Sequence, residues 1–210
     1  MGSGRADLVS GMVGGGVPAA AKPAAAPAAA AVNTNGVVFW PVAVFVLLAD
    51  LATKALAEAA LGPAGFAHRV VGDVVRFNLV YNPGAAFGLT LGPYSRGIFL
   101  ALTAVILRVL WALYRSTRDR DNVRVFALAL LAAGAVGNAV DRVRSHLGVV
   151  DFLDIGVGPH RWPTFNLADV AVTTGAVLLF RVLWREEHDA ASAAAAVATP
   201  APAADTARVT

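Results

Sequence analysis

The chain has 210 residues, is 57% hydrophobic and only 15% charged, and carries a formal net charge of +3 at pH 7, whereas soluble domains carry about 25% charged residues. Cysteine is absent, which excludes a disulfide framework, a thiolate nucleophile and a Cys-ligated metal site. The basic excess, with a pI near 9.8, is accounted for by membrane topology, so nucleic acid is not an expected partner.

Residues 1–36 are rich in Gly, Ala and Pro and hold few large apolar side chains. They are expected to form a disordered tail, and they match a secretory signal poorly because no leucine-rich stretch precedes the alanines. Four apolar runs follow, at 37–57, 95–114, 123–143 and 166–184. About 20 helical residues cross a hydrocarbon core of about 30 Å, so each run is long enough to span a bilayer. Four such runs in so short a chain, with a mean hydropathy of +0.63, leave too little polar surface to bury them in a soluble fold. Residues 186–210 are again Ala-rich and are expected to be a second disordered tail.

Arg115, Arg118, Arg120 and Arg124 surround the second connection, and Arg181 and Arg185 close the fourth span. With Arg5 and Lys22 in the first tail, the positive-inside rule places both termini and the second connection in the cytoplasm. Segments 58–94 and 144–165 then face outward. "VVGDVVRFNLVYN", with a turn at Gly72–Asp73, and "GVVDFLDIGVGPHRWPTF" read as short strands on the outer surface.

On this topology the costly polar groups gather at one depth. Asp50 and Lys54 lie in the outer half of span one, Asn138, Asp141 and Arg142 at the outer end of span three, Asp151 in the following segment, and Asn166 and Asp169 at the head of span four. Each has a plain structural reading. Asp50 and Lys54 are four apart and can neutralise each other, Asp141 and Arg142 can anchor a helix end at the interface, Asp169 can complement its own helix dipole, and Asp154 reads as a solvated loop residue. The gathering is harder to explain than its members, because ionisable groups in membrane segments are expensive. Two neighbouring carboxylates split their titrations: one stays ionised and takes a proton from water, the other stays protonated and gives one to a leaving amine. The histidines, His68, His146, His160 and His188, show no metal-ligand spacing, so neither metal nor cofactor is expected. From the residues alone, a water-activating peptidase and a small proton-coupled transporter fit nearly equally well, although the internal repeats common in transporters are missing.

Five stretches carry a resemblance: "DLATK" (50–54), "YNPGAAFG" (81–88), "GNAVDR" (137–142), "GVVDF" (148–152) and "FNLAD" (165–169). In their order and their places relative to the four spans, they resemble the lipoprotein signal peptidase (signal peptidase II) family of bacteria. The resemblance implies an all-α membrane protein of four transmembrane helices with a small extracytoplasmic β-sheet, occupying residues 37–185. It implies an aspartic endopeptidase that cuts prolipoproteins just before a diacylglyceryl-modified cysteine, near the outer face of the cell membrane. Asp151 and Asp169 match the family's catalytic acids. Asn82 and Arg142 match groups that hold the substrate backbone, and Asn138 and Asn166 match supports of the dyad. Asp50, Lys54 and Asp141 match residues that support the site or the fold. The partners implied are the lipidated prolipoprotein and membrane lipids, with a monomeric enzyme.

Overall fold

The computed structural model describes residues 34–84 and 92–198. The tail residues 1–33 and 199–210, and residues 85–88 of the "YNPGAAFG" stretch, lie outside the described residues.

Four helices form where the apolar runs stand: α1 (Asn35–Ala60), α2 (Ser95–Ser116), α3 (Asn122–Arg144) and α4 (Leu167–Ala198). All four are long and apolar enough to cross a membrane. Helix α4 runs well past the expected span. Residues 186–198 are helical rather than the start of a disordered tail, because alanine has the highest helix propensity and nothing in "EEHDAASAAAAVA" breaks the helix.

α3 is the central helix and packs against the other three. Its inner face carries Val125, Ala127, Leu128, Ala129, Ala133, Gly134 and Gly137, all buried. Small residues let the backbones close up, since van der Waals packing rather than a hydrophobic drive joins helices in lipid. A Cβ on Gly134 would stand 2.5 Å from the Ala168 carbonyl oxygen of α4, and one on Gly137 would strike the Asp50 carboxylate of α1. α3 starts on an N-cap, where the Asp121 side chain accepts from Arg124 N at 3.2 Å.

Four antiparallel strands, β1 (Ala67–Val71), β2 (Val75–Asn82), β3 (Val149–Val157) and β4 (His160–Arg161), pair in the order β1-β2-β3-β4. Both outer segments therefore hold the expected strands, with the expected turn between Val71 and Val75. β3 begins buried, from Val149 through Phe152, instead of alternating. That end packs against α1 and α3, so both of its faces are covered. Gly148, at φ +111°, makes the bend from α3 into β3, and a Cβ there would strike the Asn82 carbonyl.

Asp154 is not a solvated loop residue. It lies in β3 at 3% exposure. Arg76 of β2 donates to its Oδ2 from Nε at 2.9 Å and Nη2 at 2.7 Å, and Arg161 of β4 donates from Nε to its Oδ1 at 2.8 Å. The acid joins three strands, and such a carboxylate is tolerated inside because it is paired on both oxygens.

Candidate active site

The site is built where β3 and the loop before α4 meet the ends of α1 and α3. Asn166 immediately precedes α4, and its Oδ1 accepts from Asp169 N at 2.9 Å while Asp169 Oδ2 accepts from Asn166 N at 3.1 Å. This reciprocal pair is a capping box, which satisfies two N–H groups that the first turn would otherwise leave unpaired. The helix-end role considered for Asp169 is thus real, but it occupies one oxygen only. Asp169 Oδ1 accepts from Asn138 Nδ2 of α3 at 2.8 Å.

Asp151 is held from the other side. Its Oδ1 accepts from Asn166 Nδ2 at 2.7 Å and its Oδ2 from Asn82 Nδ2 at 3.2 Å. Asn82 is itself fixed by an Asx turn, its Oδ1 accepting from Gly84 N at 3.0 Å. Both carboxylates therefore hang on one residue, Asn166, and both line one cavity of about 540 Å³ together with Asn82, Asn138, Arg142 and Trp162. Asp151 is 2% exposed, whereas Asp169 is half-buried. Burial pushes the Asp151 carboxyl up and the negative charge of Asp169 adds to it. Hydrogen bonds from Asn82 and Asn166 and the charge of Lys54 pull the other way, and the balance lies at about 7 against the ordinary 3.8.

Arg142 lines the cavity without gripping either acid. It donates from Nη2 to the Gly84 carbonyl at 2.8 Å and from Nη1 to the Asn138 carbonyl at 3.2 Å, with its guanidinium over the Phe99 ring at 5.2 Å. Among the described residues no Lys or Arg forms an ion pair with Asp151 or Asp169.

Asp50, Lys54 and Asp141 sit behind the cavity, each fully buried. Lys54 Nζ lies 2.8 Å from Asp50 Oδ2 and 2.8 Å from Asp141 Oδ2. Asp50 Oδ1 accepts from Ala168 N in the first turn of α4 at 2.8 Å. Asp141 accepts from Val150 N of β3 at 3.2 Å and from Arg144 Nε at 2.9 Å. Asp141 is thus an internal tie between α3 and β3, not an interfacial anchor.

The nine residues singled out in the sequence fall into one contiguous assembly. Trp162 and Thr173, which also line the cavity, were not singled out. Thr173 stands one helical turn beyond Asp169, a spacing that would have found it. Trp162 carries no such signal; it is placed by the β3–β4 return and by Phe165, which pairs with Leu153 across the sheet edge.

The family model described as signal peptidase (SPase) II matches residues 42–185, a stretch that takes in every element of this assembly. The chain belongs to the signal peptidase II family. A lipoprotein signal peptidase of Pelotomaculum thermopropionicum is 43% identical over 64% of this chain and 83% of its own length. One from Desulforapulum autotrophicum is 40% identical over 70% and 93%. A solved bacterial membrane enzyme superposes with a TM-score of 0.64 at 31% identity, covering 71% of this chain and 88% of its own. Membership makes this signal peptidase II homologue a multi-pass membrane peptidase, and it removes the transporter from contention.

Proposed function

We propose that this protein removes the signal peptide from diacylglyceryl-modified prolipoproteins as an aspartic endopeptidase, cutting before the lipidated cysteine with Asp151 and Asp169 as its catalytic pair. The observation that carries the reading is the shared suspension of two carboxylates from Asn166 in one cavity, with amide donors and, among the described residues, no ion-paired cation around them. Asp151, deeply buried and with its carboxyl raised to about 7, holds the pair's proton near neutrality. Asp169, half-buried at the head of α4, serves as the base.

Water then adds to the scissile carbonyl. Asp169 takes its proton while Asp151 donates to the carbonyl oxygen, giving a tetrahedral diol. On collapse the proton on Asp169 passes to the amide nitrogen as the C–N bond breaks, and a diol proton returns to Asp151. Both acids end as they began, and no covalent intermediate forms. Arg142 and Asn82, which both bond to Gly84 at the cavity wall, hold the substrate backbone.

The substrate's chemistry suits this placement. Acyl chains on the cysteine anchor it in the outer leaflet, which puts the scissile bond at the wet boundary where the cluster stands if both termini are cytoplasmic. Entry from the side of the helices lets the signal helix and the acyl chains remain in lipid, the enzyme acting as a monomer. The test is to incubate purified protein with a lipidated prolipoprotein and, in parallel, with the same chain lacking lipid. Cleavage of the first only, at the bond before the cysteine, is expected; equal cleavage of both would remove the lipid from the recognised features.

A further inference from the structure

Lys54 is the largest side chain among the described residues with no solvent exposure. Simple neutralisation of Asp50, its neighbour on α1, would require one contact. Its ammonium makes three, to Asp50 Oδ2, to Asp141 Oδ2 and to Asn138 Oδ1 at 3.0 Å. An ammonium has donors and no acceptor, so only the oxygen end of the Asn138 amide can face it. The nitrogen end must then face away, and it donates to Asp169 Oδ1 at 2.8 Å. With the amide reversed, an NH2 would meet the ammonium and a carbonyl oxygen would meet the Asp169 carboxylate, and both contacts would repel. Asn166 Nδ2 also donates to Asn138 Oδ1, at 3.0 Å, but it is shared with Asp151 Oδ1 and the Val150 carbonyl. Lys54 is the charged member of this arrangement, and Gly137 beside Asn138 leaves the room that Asp50 and α1 need to bring it there.

We propose that Lys54 is a positioning residue for the cleavage reaction: it locks the Asn138 amide with its N–H toward Asp169 and thereby holds that carboxylate as the acceptor that takes the proton from water. The proposal rests on the reading of Asp151 and Asp169 as the catalytic pair. The charged groups around Asp169 are Asp151 from β3 and Arg142 from α3, with Lys54 from α1 acting through Asn138. Those around Lys54 are Asp50 and Asp141, and Arg144 lies on the far oxygen of Asp141 at 2.9 Å.

The variants are Lys54→Met and Asp50→Asn/Lys54→Met, with Asp169→Asn as control. The double variant leaves the Asp50–Lys54–Asp141 group at its original formal charge of −1, so it removes the lysine without stranding an extra acid. Rates on lipidated prolipoprotein are measured across pH, with folding followed in parallel. We expect the double variant to lose about ten-fold or more in kcat with KM little changed, because the carboxylate is no longer held as the acceptor while the substrate contacts remain. A folded double variant with an unchanged rate, or with its loss carried by KM rather than kcat, overturns the proposal, since a lysine that only fills the helix interface would not lower kcat alone. If neither lysine variant folds, Asn138→Leu decides: it keeps about the size of the amide but cannot donate to Asp169, so its cleavage must fall by about ten-fold or more, and a wild-type rate overturns the proposal. Cleavage by Asp169→Asn would instead sink the catalytic pair itself.

Discussion

Asp151 and Asp154 stand three residues apart on one strand and are equally hidden, at 2% and 3% exposure, yet their surroundings are opposite. Asp154 is gripped by two guanidiniums. Burial pushes its carboxyl up, but the hydrogen bonds and charges of Arg161 and Arg76 outweigh that and hold it below the usual range. Among the described residues Asp151 receives the amide N–H groups of Asn166 and Asn82 and no guanidinium, and burial and the facing acid raise its carboxyl to about 7. Guanidiniums turn a buried carboxylate into a permanent strut. Amide donors orient it and leave its proton negotiable. The buried triad behind the site repeats the first solution with Lys54, and the cavity keeps the second.

The largest effect should come from removing the negotiable acids. Asp151→Asn and Asp169→Asn should each lower cleavage by about 10³-fold or more while leaving a folded membrane protein, because neither the base nor the proton donor survives in an amide. Near-normal turnover by either variant, measured on lipidated substrate, would take that residue out of the pair.

A smaller effect should come from the strut. Asp154→Asn leaves Arg76 and Arg161 without their carboxylate, and should cost about 1–3 kcal/mol of stability, discounted because both arginines are partly exposed. The two acids should also respond to pH with opposite signs. Asp154, with a depressed pKa, contributes stability above the ordinary carboxylate range and loses it as pH falls through its folded value. Asp151, with a raised pKa, binds its proton more tightly in the fold, so its contribution declines as pH rises from about 4 to about 7. Thermal denaturation of the Asn variants against the wild type across pH 3–8 reads both slopes; slopes of the same sign would erase the contrast.

No effect is expected from removing what the site does not use. Chelators and thiol reagents should leave the rate unchanged, since cysteine is absent. Deleting residues 1–32 or 199–210 should do the same, because both stretches hold few large apolar side chains. Reversible loss with a chelator, restored by added metal, would overturn the aspartic mechanism.

The sequence made the four spans, the two strand-bearing segments and the nine polar residues legible, because long apolar runs and costly charges within them leave few alternatives in a bilayer. Helix α4 was underestimated because hydropathy marks where a helix leaves the lipid and not where it ends; alanine carries it on to Ala198. Asp154 was misread because its partners, Arg76 and Arg161, come from two other strands and meet it only through the register that pairs Arg76 with Asp154 and Gly156 with Arg161. The capping box between Asn166 and Asp169 was visible as a spacing, but the second grip on Asp169, from Asn138, depends on the orientation of one amide, which pattern alone does not specify.

The central claim is that Asp151 and Asp169 work as a pair sharing one proton, and the pH dependence of cleavage tests it most directly. The rate on lipidated prolipoprotein should be measured from acid to alkaline pH, with folding verified at each point. A bell is predicted: activity is lost in acid as the base takes up a proton, and lost again as pH rises through and above about 7, where Asp151 gives up the proton it must donate. A rate that climbs through neutrality and stays high in alkali would mean a single general base, and would contradict the shared-proton account.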